Sequence, residues 1–171
     1  MADAVRDTEF TEFVAARGAW LRKVAFLLCG DWHRADDLVQ EAVTRLYTAW
    51  GRARRADNLD GYARRVLVNT FLAEQRGGWH RFTVRGAPVG EEVCREADPS
   101  GDLDLRRALA ALPPRQRASV VLRYYCDLSV EQTAEALACS PGTVKSQSAR
   151  GLDALRVRLA IPSHPSLEEL S

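Results

Sequence analysis

Thr143, Lys145, Ser146 and Arg150 fall on one arc of a helical pattern that opens with Ser140-Pro141-Gly142. Short hydroxyls beside cations suit hydrogen bonds to base edges and contacts to phosphates. Arg150 can hold a guanine through two hydrogen bonds or clamp a phosphate, and the residue type allows both. Arg65, Asn69 and Arg76 recur at steps of four and seven, with Arg64 beside them. Arginine holds phosphate and asparagine can bond a base, although a solvated basic face would look the same. Asp37, Gln40 and Glu41 form an acidic, amide-bearing arc at steps of three and one. By itself that arc reads as a solvated helix face with acids near its N-terminus.

Nothing in the chain has the spacing of a catalytic or metal site. There is no nucleophile elbow, phosphate loop or HExxH motif. Cys29, Cys94, Cys126 and Cys139 form no C-x-x-C pair, and His33, His80 and His164 add no metal-ligand spacing. No catalytic residue, metal or cofactor is expected. The cysteines read as reduced, mostly buried thiols, with Cys94 in a polar segment.

The elements that must position these residues read as helices. Phe10, Phe13, Val14, Leu21, Val24 and Leu28 predict an opening helix that ends near Gly30. A second starts around 34–36, with Val39, Ala42, Val43, Leu46 and Trp50 on one face and Gly51 as its stop. A third spans about 61–76, with Tyr62, Val66, Phe71 and Leu72 available for packing. Residues 77–102, rich in glycine and without a sustained period, read as a flexible linker. Helical pattern resumes over 103–112. Pro113 or Pro114 opens the next helix, which runs to about Tyr125 and contributes Val120, Val121 and Tyr124. No strand with clean alternation is present. The expected architecture is all-α: two small helical domains joined by a flexible linker that few core contacts cross.

Composition agrees with a globular chain, at 46% hydrophobic and 27% charged over 171 residues. No run approaches a membrane span and the N-terminus lacks a signal-peptide pattern, so a cytoplasmic protein is expected. A net charge of +1 conceals segmentation. Arginines dominate 52–85, whereas Glu91, Glu92, Glu96, Asp98, Asp102 and Asp104 face only Arg95. The basic segment suits a nucleic-acid contact, and ordinary solvated surface is the competing reading.

Two helical patterns lie close together between Ser129 and Leu155. Ser129 can cap the first, with Gln132 completing a capping box. Ser140 can cap the second, with Pro141 at its first position. Val144, Ser148, Leu152 and Leu155 form the second helix's inward face. This is the geometry of a helix-turn-helix, with an ordinary helical hairpin as the competing reading. The turn places Ala138 where such motifs commonly carry glycine. A left-handed backbone there costs alanine about 1 kcal/mol, so an altered or mildly strained turn is expected.

At these residues the chain resembles a known family. "LPPRQRASVVLRYYCDLSVEQTAEALACSPGTVKSQSARGLDALR" closely resembles the C-terminal promoter-binding domain of bacterial RNA polymerase sigma factors. "ADDLVQEAVTRLYTAW" followed by "YARRVLVNTFLAEQR" looks like the N-terminal domain of the same extracytoplasmic-function group, in the actinobacterial sigma-E-like type. The two likenesses cover about 10–159 in the expected order. They imply an N-terminal domain at 7–76, the acidic linker at 77–102, a C-terminal domain at 103–159 and a tail at 160–171.

The resemblance also implies roles. Asp37, Gln40 and Glu41 would meet the β′ coiled coil of core RNA polymerase, with the β subunit as a further contact. The third helix and the loop at 54–60 would hold the minus-ten strand of promoter DNA through Asn58, Arg64, Arg65, Asn69 and Arg76. The last helix would read the minus-thirty-five element through Ser140, Thr143, Lys145, Ser146 and Arg150. The acidic linker would thread the polymerase cleft, and an anti-sigma protein is a candidate partner. The alternative is a free-standing helix-turn-helix regulator, which leaves "DDLVQEA" unexplained.

Overall fold

The structure, a computed structural model, describes residues 1–82 and 102–160. Every regular element among the described residues is helical. Helix α1 spans Ala2–Cys29 and ends on Gly30, whose φ of 75° is the left-handed turn that glycine takes without strain. Helix α2 spans Trp32–Thr48. It begins earlier than the apolar spacing predicts because Asp31 is its cap, accepting the Arg34 N–H at 2.9 Å. It also stops before Gly51, which lies inside the short helix α3, Trp50–Ala53. Trp50 is 1% exposed, and burying this indole fixes the bend more firmly than the glycine does.

Helix α4 spans Leu59–Phe82. It continues past Arg76 through the first residues of the expected linker. The rest of that linker, with Cys94 and most of the acidic run, lies outside the described residues, as does the tail beyond Ala160. Helix α5 spans Asp102–Ala110, and α6 spans Pro114–Val120 with Pro114 in its first turn. A π-helical turn over Val121–Tyr125 follows, and the Cys126 N–H reaches the Val121 carbonyl at 3.0 Å. The widened turn shifts the phase of the helix. Val120 and Val121 are buried as expected, but Tyr124 is 55% exposed and does not join the core. Helices α7, Val130–Leu137, and α8, Pro141–Leu159, complete the chain.

One apolar cluster crosses the whole fold. Leu28, Leu38, Leu46, Trp50, Leu67 and Phe71 come from the N-terminal half, and Ala118, Val121, Leu122, Ala136 and Leu137 join them from the C-terminal half. The two halves therefore share a core, contrary to the expectation that few core contacts join them. The linker's composition had suggested independence, but the buried faces of α6 and α7 complement those of α1 and α4. A smaller cluster of Ala108, Leu109, Leu112, Val120 and Leu155 holds α5, α6 and α8 together.

Arg117 lies at the junction, 8% exposed. Its guanidinium donates to the carbonyls of Leu28 at 2.5 Å, Ala110 at 2.8 Å and Leu112 at 2.9 Å. A buried cation is costly unless hydrogen bonds replace water, and helix-end carbonyls provide that replacement here. Burial pulls its pKa below the ordinary arginine value.

Candidate nucleic-acid interface

Helices α7 and α8 form the predicted pair, and their ends follow from local chemistry. The Ser129 side chain accepts the Gln132 N–H at 3.0 Å, while the Gln132 side chain accepts the Ser129 N–H at 2.9 Å. Ala138 takes φ 50° and ψ 49°, so the turn is left-handed without a glycine. The Cys139 N–H closes it on the Ala134 carbonyl at 3.0 Å. Ser140 caps α8 by accepting the Thr143 N–H at 3.1 Å.

The inward face of α8 is Val144, Ser148 and Leu155, all buried, with Leu152 half-buried. Gly151 belongs to that face too. A Cβ there would sit 2.6 Å from Val120 Cγ2 and 3.4 Å from the Gln116 carbonyl oxygen. Only a hydrogen at this position lets α8 lie so close to α6. The sequence signal was an isolated glycine inside a helical pattern.

The outward face carries the candidate readers, in two kinds. Lys145 and Arg150 are exposed and make no ion pair among the described residues. Ser140, Thr143 and Ser146 are partly engaged by the helix itself. Ser140 Oγ and Thr143 Oγ1 lie 2.9 Å apart, and Ser146 Oγ donates to the Thr143 carbonyl at 3.0 Å. Each hydroxyl oxygen retains acceptor capacity.

The candidates on α4 divide similarly. Arg65, Asn69 and Arg76 are exposed along one stripe. Arg64 turns away from it, half-buried, with its guanidinium carbon 5.1 Å from the centre of the Trp20 ring. Asn58 is the N-cap of α4: its Oδ1 accepts the Gly61 N–H at 2.8 Å. Its amide nitrogen remains a donor beside that cap. Asn58, Arg64 and Arg65 line one wall of a cleft of about 340 Å³, and Leu128, Gln132 and Glu135 line the other. Sequence reasoning missed that opposite wall, because the residues lie far apart in the chain.

Asp37, Gln40 and Glu41 are exposed together on α2. Glu41 pairs with Arg45 at 2.7 Å, one turn along the helix. Glu74 of α4 extends this acidic surface. Desolvation raises its carboxyl above the usual range, and Glu41 and Asp37 add to the rise against Arg34 and Arg45.

A capped helix pair with an outward cationic face, packed on a second helical unit with its own basic helix, has the build of a helix-turn-helix protein. Comparison with known proteins makes the class specific. Residues 13–81 match Sigma-70 region 2, and residues 102–155 match Sigma-70, region 4. The chain belongs to the sigma-70 family of RNA polymerase sigma factors. It is 38% identical over 162 residues to the RNA polymerase sigma-E factor of Streptomyces coelicolor, covering 88% of this chain and 86% of that protein. It is 31% identical over 160 residues to the ECF RNA polymerase sigma factor SigE of Mycolicibacterium smegmatis, covering 87% of this chain and 61% of that protein. Its fold resembles the sigma factor RpoE of Bartonella quintana, solved in complex with the anti-sigma factor NepR. The TM-score is 0.77 at 23% identity, over 91% of this chain and 99% of that one. The region 2 match accounts for "DDLVQEA", and a free-standing regulator is not favoured.

Proposed function

We propose that this chain binds core RNA polymerase through α2, holds the minus-ten strand on α4 and reads the upstream minus-thirty-five duplex with α8. The carrying observation is the division of α8. Its inward face is buried against α6, while Lys145 and Arg150 project outward without an ion pair among the described residues. Cations kept exposed beside hydroxyls match the phosphate and base-edge chemistry of duplex DNA. On α4, Arg65, Asn69 and Arg76 repeat this combination along a single helix, which suits a strand already separated from its complement.

The acidic surface of Asp37, Gln40 and Glu41 suits a basic helical partner, here the β′ coiled coil, with the β subunit contacting the same assembly. The role requires no catalytic group, metal or cofactor from the chain. No helix among the described residues is long and apolar enough to cross a membrane, and the protein would act in the cytoplasm with the polymerase. An anti-sigma protein is a further proposed partner, on the fold shared with RpoE.

Replacing Asp37, Gln40 and Glu41 together with alanine tests the docking surface. These side chains are exposed, so folding should change little while core-polymerase affinity falls. Unchanged affinity with an intact helical spectrum would remove α2 from the interface.

A further inference from the structure

The loop at 54–60 carries Asn58 between α3 and α4, and a loop by itself is a poor platform for a base contact. A hydrogen bond to a base edge needs its donor held in a narrow range of distance and angle, and a side chain on a loop meets that demand only when other groups hold the loop. Asn58 is exposed, and its own restraint is the cap bond to the Gly61 N–H at 2.8 Å. The remaining restraint comes from α1.

Five side chains between Asp7 and Arg17 of α1 meet the segment that runs from the end of α2 to the start of α4. Asp7 accepts the Tyr47 hydroxyl at 2.8 Å. Phe10 and Phe13 pack on Trp50, with ring centroids 5.2 and 5.5 Å from it. Glu9 pairs with Arg54 at 3.2 Å, and Arg17 pairs with Asp60 at 2.8 Å. Arg54 closes α3 and Asp60 lies in the first turn of α4, so the two ion pairs sit on either side of Asn58. Ten residues of helix span ~15 Å, which makes α1 a splint along the whole loop.

Stability does not account for these pairs. Their four side chains are 40–49% exposed, and ion pairs of that exposure contribute little to the folded state. What they restrict is the set of conformations open to the loop. Gly61 adds a restraint of different chemistry. A Cβ there would lie 2.9 Å from Asn58 Nδ2, so a hydrogen at position 61 leaves the amide its place beside the cap.

We propose that Glu9, Arg17 and Gly61 are positioning residues for base recognition, fixing where the Asn58 amide meets a base of the separated strand. This rests on the reading of the 54–60 loop as a strand contact. None of the three touches the base. They act on discrimination between bases more than on strand affinity, most of which comes from phosphate contacts by arginine.

The test uses the full chain bound to core polymerase and a pool of single-stranded oligonucleotides of randomised sequence, with the bound fraction sequenced against the input. Asn58→Ala should relax base preference at one position, and that position is the readout. Glu9→Gln with Arg17→Gln should lower preference there by about threefold or more, through the loss of two exposed pairs, and leave other positions and total strand retention within about twofold of the parent. Arg17→Lys, which keeps the charge, should retain most of the preference. Hydrogen exchange in the free double variant should quicken over 54–60 and not in α2. Gly61→Ala should lower the same preference without lowering the thermal midpoint, because alanine's better helix propensity offsets the disturbed cap. Parental preference in the Glu9→Gln, Arg17→Gln chain, or an equal fall at every position, overturns the proposal. Should Asn58→Ala relax no position, the reading of the loop as a strand contact fails, and the positioning role fails with it.

Discussion

Gly151→Ala tests how α8 is held against α6. Two effects oppose each other. Alanine is the better helix former and by itself would stabilise α8 by about 1 kcal/mol. The added methyl, however, would lie 2.6 Å from Val120 Cγ2, and the Gln116 backbone oxygen at 3.4 Å leaves little room beyond. Carbon atoms in contact normally sit about 3.5–4.0 Å apart, so the overlap is about 1 Å. Val120 is itself 6% exposed and β-branched, with a stiff χ1 that cannot swing aside easily. Overpacking of this kind costs ~1–3 kcal/mol. The packing term should win, with a net loss of up to ~2 kcal/mol. Urea unfolding followed by circular dichroism should show a midpoint lower by up to ~1 M. Val120→Ala removes the opposing methyl, so the two changes combined should cost less than their sum, with coupling of about 1 kcal/mol. A Gly151→Ala chain more stable than the parent, or strict additivity with Val120→Ala, would refute the proposed close approach of α8 and α6.

Three further outcomes follow from the same geometry. Lys145→Ala and Arg150→Ala should weaken binding to upstream duplexes, each lowering the salt slope by about one if the residue holds a phosphate. An Arg150 that reads guanine should instead cost ~1–3 kcal/mol at one base pair, and duplexes varied in sequence and salt distinguish the two. Ala138→Gly should raise the stability measured by urea unfolding by up to ~1 kcal/mol, because φ 50° penalises alanine and not glycine; a loss would show that the turn is unstrained. Burial pushes the Cys29 thiol up to about 11 from 9.0. Its contribution is therefore complete below pH 9, where both states are protonated, and is lost as the pH rises towards 11 because the unfolded chain ionises first. The parent should lose up to ~3 kcal/mol relative to Cys29→Ala across that interval, and parallel pH profiles would contradict it.

The residues legible in advance are those whose partners are close in sequence. The caps at Ser129 and Ser140, the left-handed stop at Gly30 and the inward face Val144–Ser148–Leu155 each depend on neighbours within a few turns. So does the strained position of Ala138, which follows from the short connection between two helices. The outward arc of Lys145 and Arg150 was legible for the same reason, since the helical period separates it from the buried face. Element ends were less legible where tertiary burial chose among plausible stops. Gly51 looked like the end of α2, but the burial of Trp50 set the bend before it. Tyr124 looked like core until the π-helical turn moved it outward.

The sequence by itself determined the principal helices, the caps at Ser129 and Ser140, the helix-turn-helix and the chemical types of its exposed arcs, because local hydrogen bonding and helical period act over a few residues. Only the tertiary structure decided that the two halves share one core, that Arg117 and Arg106 meet the end of α1, and that α7 stands over the candidate strand-binding end of α4. Those contacts join residues separated by much of the chain, as Arg117 and Leu28 are by 89 positions. Their energy comes from burying complementary apolar faces and pairing a helix's last carbonyls with distant cations; the helical period marks a face as apolar but not which distant face it meets, and the carbonyl pairing leaves no periodic mark.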